Sequence, residues 1–292
     1  MIRWLLGIVF LCVSGLAGAY PISDDDGRTL ELPQPATRIV SLSPGATAML
    51  FAAGAGARVI ATARYSDEPA AAQKIPRIGD AQSFDTERIL ALQPDVVVAW
   101  ASGTPPQTLE RLERLGLRVY HHRVTRLDDF APALRRLGQL AGTSSIADPA
   151  AATLASRIEA LRTRHAQDAP ERVLIQIWDK PLYTIGGAQL LSDIVQACGE
   201  RNLFDDLDAA SAAISAEAVI TRNPDAILAI APDAKTAEAW LASWRAFPAL
   251  SAVKHRRLLA YTDPRLSRLG PETITAAETL CGQLTSHTTM PR

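Results

Sequence analysis

The chain has 292 residues, 48% of them hydrophobic, with 30 basic against 31 acidic side chains. That length supports two cores of ordinary size. The balanced charge, with a pI near 6.5, leaves no global electrostatic footprint for nucleic acid or an anionic membrane.

In chain order, residues 1–19 combine one early charge (Arg3), an apolar core from Trp4 to Val13 and the small triplet Ala17-Gly18-Ala19. The pattern predicts a cleaved secretory signal and a mature chain beginning at Tyr20, since the apolar run is shorter than the roughly 20 residues a membrane span needs. Cys12 leaves with the signal, and the bulky Leu11 before it argues against lipid modification. Cys198 and Cys281 remain, an even pair in an exported chain, so a disulfide is expected; two separate buried thiols are the alternative. The run Asp24-Asp25-Asp26-Gly27 lacks the further spaced oxygens of a calcium loop and reads as a solvated arm. No later segment is apolar enough to span a bilayer, which predicts a soluble protein.

From Arg38 the chain alternates. Ile39 to Ser43 reads as a strand, Ala46 to Ala53 as a helix closed by Gly54-Ala55-Gly56, and Val59 to Thr62 as a second strand. Thr86 to Trp100 follows, and it recurs at Ala216 to Ile230. In both copies a Glu (Glu87, Glu217) opens a short helix, Pro-Asp (Pro94-Asp95, Pro224-Asp225) ends it, and an apolar strand follows. Proline disfavours helix in the residue before it, and a short apolar run suits a strand buried on both faces. A helix over Pro106 to Leu115 and a strand at Leu117 to His121 continue the first half. Asp148-Pro149 predicts a helix start, running to His165 with Leu154, Ile158 and Leu161 on one face. The second half restarts with Arg172 to Trp178, a helix over Leu190 to Ala197, the second repeat unit, a strand at Leu258 to Thr262 and a helix over Pro271 to Leu284. The pattern predicts an α/β fold of two similar lobes, each a mostly parallel sheet flanked by helices, residues 20–146 and 169–292, with a linking helix over 147–168 and a ligand cleft between them. A helical link predicts limited lobe closure.

Signatures of catalysis are missing: there is no Gly-x-Ser-x-Gly, no His-Glu-x-x-His and no Gly-x-x-x-x-Gly-Lys, and Ser43 has no visible His-acid partnership. A binding protein, not a secreted hydrolase, is the expectation. His121-His122 point to opposite faces of a strand and do not converge on one metal ion.

The segment Tyr65-Ser66-Asp67-Glu68-Pro69, the doubled Glu-plus-Pro-Asp unit, Ala99-Trp100 after the first repeat strand and the Cys198/Cys281 pair together resemble the periplasmic binding proteins of helical backbone that feed ABC importers for cobalamin, haem and iron-siderophores. The likeness covers essentially the whole mature chain and is strongest to the cobalamin binders. It implies a periplasmic monomer with no cofactor, carrying cobalamin or a related corrinoid to a permease and its ATPase, with haem or a ferric siderophore as alternatives. By resemblance, Glu87 and Glu217 pair with permease arginines; in each lobe they also sit in a helix's first turn, where an acid gains from the dipole regardless of partner. Tyr65, Trp100, Tyr183 and Asp263, at strand ends and loops, are the expected ligand contacts, since aromatic faces suit a large flat ligand. The resemblance places tryptophans of the cobalamin binders at Ala81 and Ser211, both small here. Tyr65, beside Arg64, would ligate ferric haem, and Arg265 and Arg268 would hold an anionic siderophore.

Overall fold

The computed structural model of the protein describes residues 19–81 and 83–286. The expected signal segment, apart from Ala19, falls outside them. In the first lobe four parallel strands lie in the order Val59–Thr62, Ile39–Ser41, Val96–Trp100, Val119–His122. In the second, Arg172–Trp178, Ala226–Ile230 and Leu258–Tyr261 run parallel in that order. Arg201–Asn202 adds a short parallel pairing to Arg172–Trp178, and Tyr183–Ile185 and Ser211–Ala213 extend the sheet antiparallel. Both sheets thus carry the repeat strand in the interior, one place in from an edge strand.

Alternation along these strands builds three cores. Ile39, Val96, Val98 and Tyr120 of the first sheet and Val173, Ile175, Leu228 and Leu259 of the second belong to one continuous apolar cluster shared by the lobes. The opposite faces pack separate outer cores, Val40, Val97 and Ala99 in one, Leu174, Ile227 and Ala229 in the other. The linking helix, Ser144–His165, passes through the shared core with Leu154, Ile158 and Leu161 buried. It packs on the helices Pro44–Ala52 and Phe130–Ala141 of one lobe and Leu190–Ala197 and Glu272–Ser286 of the other.

That helix starts one turn before the expected Asp148. Gly142, at φ 63°, closes the preceding helix in the left-handed conformation, and Thr143 begins the next turn by accepting from Ile146 N and Ala147 N. Ala147 is fully buried, and a Cβ at Gly138 would lie 2.2 Å from its methyl group, so close packing of the two helices draws the extra turn in. Pro149 sits inside the helix. Its missing N–H removes the helix bond that the Ser145 carbonyl would otherwise accept, at a place where Ser145 and Pro149 are both exposed.

The doubled unit is a doubled lock. Asp95 N donates to Arg38 O, and Asp95 Oδ2 accepts from Arg38 N at 2.9 Å. Asp225 and Arg172 repeat both bonds, the second at 3.0 Å. The two arginines then reach back to the last carbonyls of the repeat helices, Leu92 and Gln93 in one, Arg222 and Asn223 in the other. Gln93 and Asn223 turn the chain at φ 46° and 47°. Pro-Asp therefore ends each helix and fixes its strand beside the neighbouring one.

A bond between Cys198 and Cys281 spans 83 residues of sequence and ties the end of Leu190–Ala197 to Glu272–Ser286. The acidic run is not a solvated arm. Tyr20–Ser23 and Thr29–Leu32 form an antiparallel hairpin, and its turn is packed against the end of Val119–His122. Asp24 is 2% exposed, its Oδ1 accepting from Asp26 N and Arg28 N. Partners more than 90 residues away in sequence supply the donors that bury the run.

Candidate ligand-binding site

The carboxyl ends of both sheets face the lobe junction, where ligands of open α/β sheets collect. Ser43, beyond Ile39–Ser41, caps the helix Pro44–Ala52 by accepting from Ala46 N at 3.1 Å. Opposite it, Asp263 starts the short turn Pro264–Ser267 after the last strand. The two loops meet closely: a Cβ at Gly45 would lie 2.3 Å from Arg268 O. Only glycine lets the backbones approach this far.

Between them lies a cavity of about 210 Å³ whose wall includes Ser43, Gly45, Trp100, His122, Ser267 and Arg268. A narrow crevice beside it is lined by Pro44, Tyr65, Glu68, Arg265 and Arg268. Trp100 and His122 are register partners on adjacent parallel strands and share a sheet face. Tyr65, at φ 63°, is 69% exposed. Arg268 crosses the junction to Glu68 at 3.1 Å. Arg265 turns back on Asp263, with Nε 3.0 Å and Nη2 2.6 Å from its oxygens. That hydrogen bonding holds the Asp263 carboxyl below the usual carboxylate range.

Of the expected contacts, Tyr65, Trp100 and the Asp263 loop converge here. Tyr183 does not line either space; it is half-buried on the second sheet, paired with Ala213 and next to Trp178. The two arginines expected to grip an anion are both paired to carboxylates. Arg64 lies 3.7 Å from Asp80. Ala81 and Ser211 are exposed, in a tight turn and on the sheet's outermost strand.

Two features escaped the sequence reading. Trp178 ends the strand Arg172–Trp178 with 56% of its surface exposed, its ring tilted on Trp240 at 6.1 Å between centroids. The test that found Trp100, an aromatic at a strand's carboxyl end, finds it too. The second is a buried ionic chain behind the cavity. Asp25 accepts from Tyr120 OH at 2.9 Å, Arg136 Nε at 2.7 Å, Arg123 N at 2.9 Å and His122 Nδ1 at 2.8 Å. Burial alone would raise its carboxyl, but His122, the Arg123 N–H and Arg136 outweigh it and leave it lowered. His121 turns the other way, to Asp26 at 2.9 Å. Arg123 and His121 hold Asp26 down at about 2.

Glu87 and Glu217 open their repeat helices on the surface. Glu87 pairs with Arg111 at 2.7 Å. The Glu217 carboxyl is lowered by its own backbone N–H and the Ser215 hydroxyl. No group of three or more metal-ligating side chains and no membrane-length apolar helix occurs among the described residues.

Residues 39–265 match the family model described as periplasmic binding protein. The chain belongs to that family. It is 34% identical to the vitamin B12-binding protein of Vibrio cholerae over 87% of this chain and 91% of the relative, and 34% identical to that of Yersinia pestis over 88% and 90%. The crystal structure of the periplasmic vitamin B12 binding protein of Vibrio cholerae superposes with a TM-score of 0.78 at 32% identity, covering 88% of this chain and all of the other. A periplasmic haem-binding protein of Roseiflexus superposes at 0.71 with 25% identity, over 86% and 99%. The two-lobed α/β architecture is that of these binding proteins.

Proposed function

We propose that this protein binds cobalamin or a related corrinoid in the periplasm and delivers it, without catalysis, to an ABC importer. The observation that carries the reading is the end-to-end likeness to the vitamin B12-binding proteins. The site supports it independently. Arg265 and Arg268 are each paired to a carboxylate, so among the described residues the junction lacks the unpaired cationic cluster that would draw an anionic siderophore. Aromatic surface is present at Tyr65, Trp100 and Trp178, and such faces bind a flat macrocycle at low entropic cost. Trp178 supplies an exposed indole in a chain that has small residues at Ala81 and Ser211. With that indole, Tyr65, Trp100, Tyr183 and Asp263 are the proposed ligand contacts.

Titration of the mature protein with cyanocobalamin and, separately, with ferric haem tests this. Tight saturable quenching of tryptophan by cyanocobalamin, with no shift of the haem spectrum, is the expected result. A haem spectrum of tyrosinate type that disappears in Tyr65→Ala would move the protein to haem uptake, a reading favoured by the exposed phenol at Tyr65 and by the likeness to the haem-binding protein of Roseiflexus.

Glu87 and Glu217 occupy equivalent places in the two repeats, and we assign them to permease docking, one carboxylate per lobe. Charge reversal at both is expected to abolish uptake in a reconstituted transporter while leaving ligand affinity unchanged. A parallel loss of affinity would remove the docking role.

A further inference from the structure

Seven large apolar side chains stand exposed among the described residues, and singly such residues are ordinary on a protein surface. Tyr65 and Trp178 belong to the ligand junction, and Leu115, Ile146 and Phe247 lie outside the repeat units. The remaining two are repeat partners. Leu90 is 41% exposed and Ile220 38%, and each stands three residues after the glutamate in the first turn of its repeat helix. Positions three apart share a helix face, so each lobe shows the same pair on its surface, a carboxylate with a branched aliphatic one turn along.

Neither aliphatic closes a core. In Thr86–Ala91 the buried residue is Ile89, in the outer core of the first lobe, and in Ala216–Arg222 it is Val219, in that of the second. Leu90 and Ile220 come next in the chain and turn outward. Each repeat helix ends at the amino end of its strand, where Asp95 and Asp225 lock to Arg38 and Arg172. It therefore runs back along that strand, and its first turn lies toward the carboxyl edge of the sheet, the edge that faces the ligand junction. Each lobe thus carries one copy of the pair on the side where the ligand must enter and leave.

We propose that Leu90 and Ile220 are the apolar half of the permease-docking surface, each seated in an apolar socket beside the cation that takes Glu87 or Glu217. A patch carried once by each lobe fits a partner that presents one receiving site twice, as a two-fold dimer of membrane subunits does. A second copy of this chain fits less well, because it would bring acid against acid. The two halves of the patch divide the work. Carboxylates steer the encounter and are screened by salt, whereas aliphatics removed from water hold the complex at any ionic strength. Arg111 meets Glu87 on the open surface, a pairing weak enough to be exchanged for a cation of the partner. The inference rests on the docking role assigned to the two glutamates above and adds the contact that keeps the complex together once salt has screened them.

Binding of the mature protein to nanodiscs that carry the permease dimer with its ATPase, measured at low and at high salt, tests it. Leu90→Gln and Ile220→Gln keep a good helix former at each place and remove the apolar end. Each is expected to weaken binding about fivefold, and the two together by more than about tenfold, by the same factor at both salt concentrations. Cyanocobalamin affinity and the Tm of the free protein are expected to stay as in the wild type. Charge reversal at Glu87 and Glu217 should act most strongly at low salt and less as salt rises. Wild-type affinity in the double Gln variant, with charge reversal still abolishing binding, would overturn the apolar contact and leave the docking role of the acids standing. A loss confined to one of the two positions would overturn the paired arrangement. Sedimentation showing a wild-type dimer that the double variant does not form would assign the patch to a second copy and overturn the proposal. Indifference of binding to charge reversal and to Gln alike would overturn the docking role and the apolar contact together.

Discussion

The two lobes share a plan and are fastened differently. In the second, a disulfide joins the end of the helix Leu190–Ala197 to the closing helix. In the first, the acidic turn of the amino-terminal hairpin is held by charge, with Asp25 buried among Tyr120, His122 and Arg136. Their buried carboxylates differ in kind. Asp25 has four donors, and its carboxyl is lowered. Glu200, next to the disulfide, is pushed up to about 7 by burial, although it accepts from Glu171 N at 2.7 Å; the nearest cation, Arg257, is 3.9 Å away and already bonded to Glu171. A buried carboxylate is an anchor only where enough donors meet it.

Removing the staple should have the largest effect. Cys198→Ser with Cys281→Ser releases an 83-residue constraint, and denaturant unfolding is expected to show a loss of about 4–5 kcal/mol on the chain-entropy model. An unchanged midpoint would mean that packing alone holds the closing helix. Asp25→Asn should follow, at about 3 kcal/mol, because Arg136 is left half-buried without its counter-ion. Hydrogen exchange should then rise first in the hairpin and in Val119–His122, while the second sheet stays protected.

Acid separates the lobes further. Asp25 and Asp26 have folded-state values below the ordinary 3.8, Asp26 at about 2. The Asp26 contribution is complete above pH 3.8 and is lost as pH falls through about 2, and that of Asp25 is likewise lost only below its ordinary range, so acid should open the first lobe's hairpin before the second lobe's stapled helices. Glu200 has the opposite sign. Its raised value makes the folded state less stable as pH climbs from 4.5 through about 7. Glu200→Gln is therefore expected to raise Tm at pH 8 by about 2–4 °C, the smallest of these effects, and to do nothing at pH 4. A Tm lowered at pH 8 would show that the ionised carboxylate, not its proton, is what the site holds.

What could be read from the chain followed locality. The repeat units, the strand Arg172–Trp178 and the helix Leu190–Ala197 were legible because proline, glycine and apolar runs act within a few residues of themselves. The acidic turn was not, because its burial depends on His122, 97 positions away, and Arg136, 111 positions away. The extra turn at Ser144 depends on Ala147 meeting Gly138, a contact between helices that no capping signal announces. At the candidate site, Tyr65, Trp100 and Asp263 are legible as residues at strand ends and the loops after them. His122 reads in the sequence only beside His121, and nothing local announces its partnership with Asp25.

The core that runs unbroken from one sheet through the linking helix to the other has a thermodynamic consequence. Each lobe has an outer core of its own, but the inner face of each sheet is closed only by the core it shares with the other, so heat should melt the protein as one calorimetric unit despite its two-lobed outline. A ligand held at the junction then raises the melting temperature of the whole chain, and thermal shift becomes a direct screen for its cargo.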